Sequence, residues 1–296
     1  MKKTEDSFKG AFSLFGAALI YASFGLLIRE MAKMFGDNSQ VAFRFMVAFT
    51  ALSVFFYIKK KVVKLPRAAI KNALALGVAF CVILLLFTIS INNTKIANTV
   101  FLLYSGSIIS SLLIGTLFLK EKLTPIKIVA IVLSLAGLAM YSSAILSLSI
   151  GVITAVLAGL VEGGANALRK QLKGYDRNTV LWYQFLIGSL VALGVVLLSG
   201  ETIIKEVTLL PIIVGIIFGL LQIGLGNLLL YGFQHFDVNV GTVILACELI
   251  FAAILGWLFL SETPTGNEVL GGALIFIASI ISTVDFKSLS KRLITA

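Results

Sequence analysis

The chain has 296 residues, 59% of them hydrophobic and 13% charged, where a soluble domain carries roughly 25% charged residues. So few polar residues cannot cover a soluble fold of this size, so the outer solvent is read as a lipid bilayer. The net charge of +10 is then a matter of position along the loops, and no nucleic-acid partner is expected.

A membrane helix needs about 20 mostly apolar residues. Ten such runs follow in chain order, at 10–29, 39–58, 68–91, 95–118, 124–142, 150–170, 178–198, 209–233, 238–260 and 266–284. The ~10-residue alternation of an outer-membrane barrel is absent. Pro66, Pro125, Pro211 and Pro264 stand at or just before the starts of spans three, five, eight and ten, where a missing N–H is tolerated. The first span follows Lys2, Lys3 and Lys9 without a clear small-residue cleavage site, so it is expected to be retained. Trp182 and Trp257 fall near opposite membrane faces, as interfacial aromatics do.

Lys and Arg set the orientation. With the N-terminus in the cytoplasm, 19 of them lie at cytoplasmic ends and loops and 4 on the other side. Arg44 stands apart, inside span two. Both termini are therefore expected in the cytoplasm, in a multi-pass protein of the inner membrane.

The chain repeats itself. LFLKEKLTP, Leu117 to Pro125, returns as LFLSETPTG, Leu258 to Gly266. Gly10 and Gly151 open the two halves, and AFRFMVAF (42–49) stands where WYQFLIGS (182–189) does. The expected division is 1–143 and 144–296, each with five spans. Five is odd, so the second copy crosses upside down, the inverted repeat of many secondary transporters. Inversion also explains the edited charges. The first phrase ends span four on the cytoplasmic side with Lys120 and Lys122; the second ends span nine outside with neither. Glu121 and Glu262, shared by the two phrases, are expected to satisfy the N-terminus of the next helix.

This doubled pattern resembles the drug/metabolite transporter superfamily, and within it the EamA-type exporters. Each half has an apolar run, Leu-Phe-Leu, a Glu and a Gly- or Ala-rich last helix, and AFRF resembles the family's Arg-Phe at the second helix. The resemblance implies a ten-helix all-α bundle around a central cavity, alternating access, and export of amino acids or related metabolites. Two features depart from it. IYASFG (20–25) replaces a Trp-Gly pair, and Ile108 and Leu249 stand where the family often has Pro, so a kink there needs another cause.

Charge inside a bilayer marks a functional candidate. Glu162 lies near the centre of span six, Glu248 near the centre of span nine, and Arg44 about one turn inside span two. Gly159, Glu162, Asn166 and Arg169 or Lys170 make one helical stripe. Gln184 is the repeat counterpart of Arg44. Gln222 lies on a small and polar stripe of span eight, and Tyr21, Phe24, Tyr104 and Tyr231 are candidate cavity aromatics. The expected partners are a small-molecule substrate and the bilayer, with proton coupling through Glu162 left open. An amino acid could use Arg44 with a Glu; two acidic groups with aromatics could instead select an organic cation or drug.

An intramembrane enzyme is disfavoured. There is one histidine, His235, and no His-Glu-x-x-His, Gly-x-Ser-x-Gly or P-loop. Cys81 and Cys247 lie in apolar runs and suggest neither a disulfide nor a metal site. No cofactor is expected.

Overall fold

The structure, a computed structural model, describes residues 2–141, 149–261 and 263–283. Among them are eleven helices: α1 (Lys2–Met31), α2 (Asp37–Ile58), α3 (Arg67–Asn93), α4 (Ile96–Leu117), α5 (Pro125–Tyr141), α6 (Ile150–Gln171), α7 (Arg177–Ser199), α8 (Leu209–Phe233), α9 (Val238–Leu245), α10 (Glu248–Leu260) and α11 (Gly266–Thr283). Eight spans are long and apolar enough to cross a membrane, with α9 and α10 together forming one of them, and α5 and α11 are shorter apolar helices. The fold is an all-α integral membrane bundle of ten spans.

Local chemistry sets the helix starts. Ser149 Oγ accepts from Val152 N–H at the start of α6, and Asp176 Oδ2 accepts from Thr179 N–H at 2.9 Å at the start of α7. These side chains satisfy donors that an α-helix leaves open. The outward faces stay apolar. On α8, Ile213, Ile216, Ile217 and Leu220 are exposed along one stripe, the face a helix turns to lipid.

The packing has the symmetry of the repeat. α2 lies on its counterpart α7, and α5 on its counterpart α11. α3 and α4 flank α6, as α8 and the α9–α10 span flank α1. The α4–α6 contact depends on Gly159, where a Cβ would lie 2.0 Å from the Leu103 carbonyl oxygen. Small residues let membrane helices approach this closely, and van der Waals packing then holds them.

One element differs from the sequence reading. Span nine is not a single helix: it breaks at Ala246–Cys247, between α9 and α10, while α4 runs unbroken. No proline is involved. Cys247 N–H bonds the Ile244 carbonyl at 3.2 Å in a tighter turn, and the Ser279 hydroxyl of α11 donates to the Val243 carbonyl at 2.8 Å. It shares that proton with its own-helix carbonyl of Ile275 at 2.9 Å and accepts from Cys247 Sγ at 3.0 Å. A side chain inserted into the ladder is a recognised cause of a kink.

The expectation for Glu121 also needs correction. It caps a helix N-terminus, but that of α9 in the other repeat: Val238 N–H donates to its Oε1 at 2.7 Å. Glu262 lies outside the described residues. At the opposite end of the bundle Glu201, between α7 and α8, accepts from Asn38 N–H at 3.1 Å and Ser39 N–H at 2.6 Å and so caps α2. Each end is thus closed by a carboxylate of one half on a helix start of the other.

Candidate functional site

The break in span nine gives the bundle centre a helix N-terminus, and Glu248 is the first residue of α10 there. A helix start favours a carboxylate. Glu248 is buried, and its Oε2 accepts from the Tyr104 hydroxyl of α4 at 2.6 Å. No cation pairs with it among the described residues.

Glu162 is also buried, and it does have a cation. Arg169, seven residues on along α6, donates from Nη1 to Glu162 Oε1 at 3.1 Å and to Asn166 Oδ1. Its guanidinium lies over the Phe80 ring, 5.6 Å from the centroid. Asn166 Nδ2 donates to Thr242 Oγ1 at 3.1 Å, and Thr242 Oγ1 lies 2.8 Å from Ser111 Oγ. This network ties α6, α9 and α4 together. A buried pair is kept only where hydrogen bonds compensate the lost hydration, and here the amide and the ring face do so.

Between the two acids is a cavity of about 10 Å³, lined by Tyr21, Ile83, Leu84, Phe87, Leu103, Glu162 and Glu248. That is room for roughly one water molecule. The Tyr21 hydroxyl reaches this region without a hydrogen-bond partner among the described residues. Both repeats contribute to the lining.

The structure therefore brings Glu162, Glu248, Asn166, Tyr104 and Tyr21 together. Arg44 and Gln222 are buried away from the cavity, on α2 and α8, which pack together. Arg44 donates from Nη2 to Thr88 Oγ1 at 3.0 Å and lies over the Phe218 ring, 4.2 Å from its centroid. Gln184 is not at the cavity; it is buried in α7 where that helix packs on Gly77 of α3. Tyr231 is away from it too, under the Arg177 guanidinium at 5.1 Å. Trp182 is partly buried and donates to Ser53 Oγ at 2.9 Å, joining α7 to α2. The sequence put Arg169 or Lys170 on the Glu162 stripe without choosing between them, and the structure turns Arg169 to Glu162.

At the basic end Lys170 turns the other way and donates to Glu121 at 2.8 Å and Asp237 at 2.7 Å, and Lys127 also pairs with Asp237. Burial pushes the Asp237 carboxyl upward, but Lys127 and Lys170 outweigh it and hold the group below its ordinary value. Among the described residues, no three His, Cys, Asp or Glu are grouped to hold a metal ion.

Comparison with known proteins agrees with this architecture. The sequence is 24% identical over 274 residues to the pseudopaline exporter CntI of Pseudomonas aeruginosa strains UCBPP-PA14 and PAO1, covering 89% of this chain and 92% of that protein. A solved chain bearing only the description "Crystal structure of protein" superposes with a TM-score of 0.74 at 13% identity, over 93% of this chain and 98% of its own, which shows a shared fold. The model of the EamA-like transporter family matches twice, at residues 8–143 and again at 149–284, and the chain belongs to that family.

Proposed function

We propose that this chain is a secondary transporter that exports small charged metabolites, amino acids or related compounds among them, by alternating access. The observation that carries this reading is the cavity itself: two buried carboxylates of the second repeat, Glu162 and Glu248, face Tyr21, Phe87 and Leu103 of the first across a space at the bundle centre. A cavity of about 10 Å³ is far below the roughly 300–1,000 Å³ of a ligand site. Substrate passage then requires the repeats to move, opening one end while the other stays closed. The inter-repeat caps at Glu121 and Glu201 are the contacts that would break in turn. The basic end is assigned to the cytoplasm by the excess of Lys and Arg in its loops, and the described relative is itself an exporter.

Proton exchange, if the carrier is coupled, is assigned to Glu248 rather than Glu162. Glu162 is neutralised by Arg169 at 3.1 Å, whereas Glu248 has only the Tyr104 hydroxyl. A second reading, an exporter of organic cations, is supported by Glu248, Tyr21 and Phe87 lining one space. Counterflow in proteoliposomes tests the proposal. Labelled neutral amino acids should accumulate against an unlabelled internal pool, and accumulation of amines alone would select the cation reading.

A further inference from the structure

Arg44 is fully buried, and no carboxylate pairs with it among the described residues. Its Nε donates to the Gln40 carbonyl at 3.2 Å and its Nη2 to Thr88 Oγ1, but Nη1 has no partner. Two buried amides on the same pair of packed helices, α2 and α8, are also unpaired. Both polar atoms of Gln40, one turn toward the helix start, and both of Gln222, one turn along α8 from Phe218, have no hydrogen-bond partner among the described residues. The helices meet closely here: a Cβ at Gly219 would lie 2.8 Å from the Arg44 carbonyl oxygen.

Buried polar groups are nearly always hydrogen-bonded, and a cluster of exceptions calls for an explanation. A buried cation without a counter-charge is costlier still. Structural roles for Arg44 account for Nε, Nη2 and the Phe218 ring face, but not for Nη1 or the two glutamines. The seam is also joined to the central cavity. Tyr21 meets Phe24 at 5.2 Å, Phe24 meets Phe218 at 4.4 Å, and Phe218 lies under Arg44. Thr88 directly follows the cavity-lining Phe87.

We propose that Arg44, Gln40 and Gln222 form a carboxylate-binding subsite on the exit side of the central cavity. A carboxylate matches the geometry: one negative charge for one guanidinium, and two oxygens to accept from Nη1 and the amide N–H groups. A phosphate would call for more cations than the single one present here. The proposal rests on the transport reading for its direction and makes the substrate a carboxylate-bearing molecule. A zwitterion can then place its ammonium at Glu248 and its carboxylate at Arg44.

The test uses three matched probes on purified full-length protein: leucine, 4-methylpentanoate and isoamylamine. Binding is read by thermal shift, since a ligand of the native state raises its melting temperature. Leucine and 4-methylpentanoate should raise it by several degrees and isoamylamine should not. Arg44→Gln should weaken both carboxylates by about tenfold or more, while melting at or above the wild-type temperature without ligand. If Arg44→Gln does not fold, Gln222→Leu keeps the guanidinium and should still weaken 4-methylpentanoate. Carboxylate shifts that survive in the variants, or no carboxylate shift in the wild type, overturn the subsite. Its failure is distinct from failure of transport: amino-acid counterflow unchanged in Arg44→Gln removes the subsite alone, and carboxylate binding without counterflow removes the transport reading alone.

Discussion

The Tyr104 hydroxyl and the Glu248 carboxylate meet at 2.6 Å across the two repeats, at the point where span nine breaks. This bond joins the first half of the chain to the second at the one site acid that lacks a cation. Tyr104→Phe should lower stability by about 1–3 kcal/mol, the cost of leaving a buried polar group without its partner. Glu248→Gln should keep the fold, and the transport that remains should be indifferent to a pH gradient. Flux measured with and without an imposed gradient checks the second point, and a retained response would return the proton to another group.

The break itself depends on Ser279. Ser279→Ala leaves the buried Val243 carbonyl without its donor, at a cost of about 1–3 kcal/mol. Cys247→Ala keeps that donor, so it should cost less. Melting temperatures of the two variants, measured side by side, decide this; equal losses would mean that the serine does not hold the kink.

The two inter-repeat caps should act on opposite faces. Glu201→Gln weakens the charge-assisted bonds to Asn38 and Ser39, and should open the end near α2. A cysteine replacing the buried Gln40 reports this. Its labelling by an impermeant maleimide should rise about tenfold in Glu201→Gln, equivalent to roughly 1.4 kcal/mol, and stay unchanged in Glu121→Gln.

Asp237 gives the basic end a pH dependence. Its pKa is lower in the folded state than in the unfolded chain, so its stabilisation is present above the unfolded value, about 3.9. It is lost as pH falls through the lower folded value. The melting-temperature gap between wild type and Asp237→Asn should therefore be constant from pH 7 to about pH 5 and close in stronger acid. A gap that widens with acid would contradict the sign.

Much of this molecule was legible in its letters because a bilayer imposes simple rules. Run length gave the spans, and the LFLKEKLTP and LFLSETPTG phrases gave the family. Glu162, Asn166 and Glu248 declared themselves as polar groups at mid-span. What could not be read was tertiary. The kink at Cys247 comes from a serine 32 residues away in sequence. Glu121 caps a helix 117 residues on, not its neighbour. Arg169 turns inward while the adjacent Lys170 turns to the surface network, and no local pattern separates two consecutive cations. Gln184 lies at the repeat position of Arg44 and packs in the equivalent way, its carbonyl meeting Gly77 of α3 as that of Arg44 meets Gly219 of α8, but Leu76 stands where the second copy has Phe218.

The most direct measurement of the central claim is amino-acid counterflow in proteoliposomes for wild type, Glu162→Gln and Glu248→Gln. The account predicts saturable, transient accumulation of labelled substrate in the wild type. It predicts a loss of at least about tenfold, near 1.4 kcal/mol, in both variants once they reconstitute and melt like the wild type. Linear flux without accumulation, or equal counterflow in all three proteins, would contradict it.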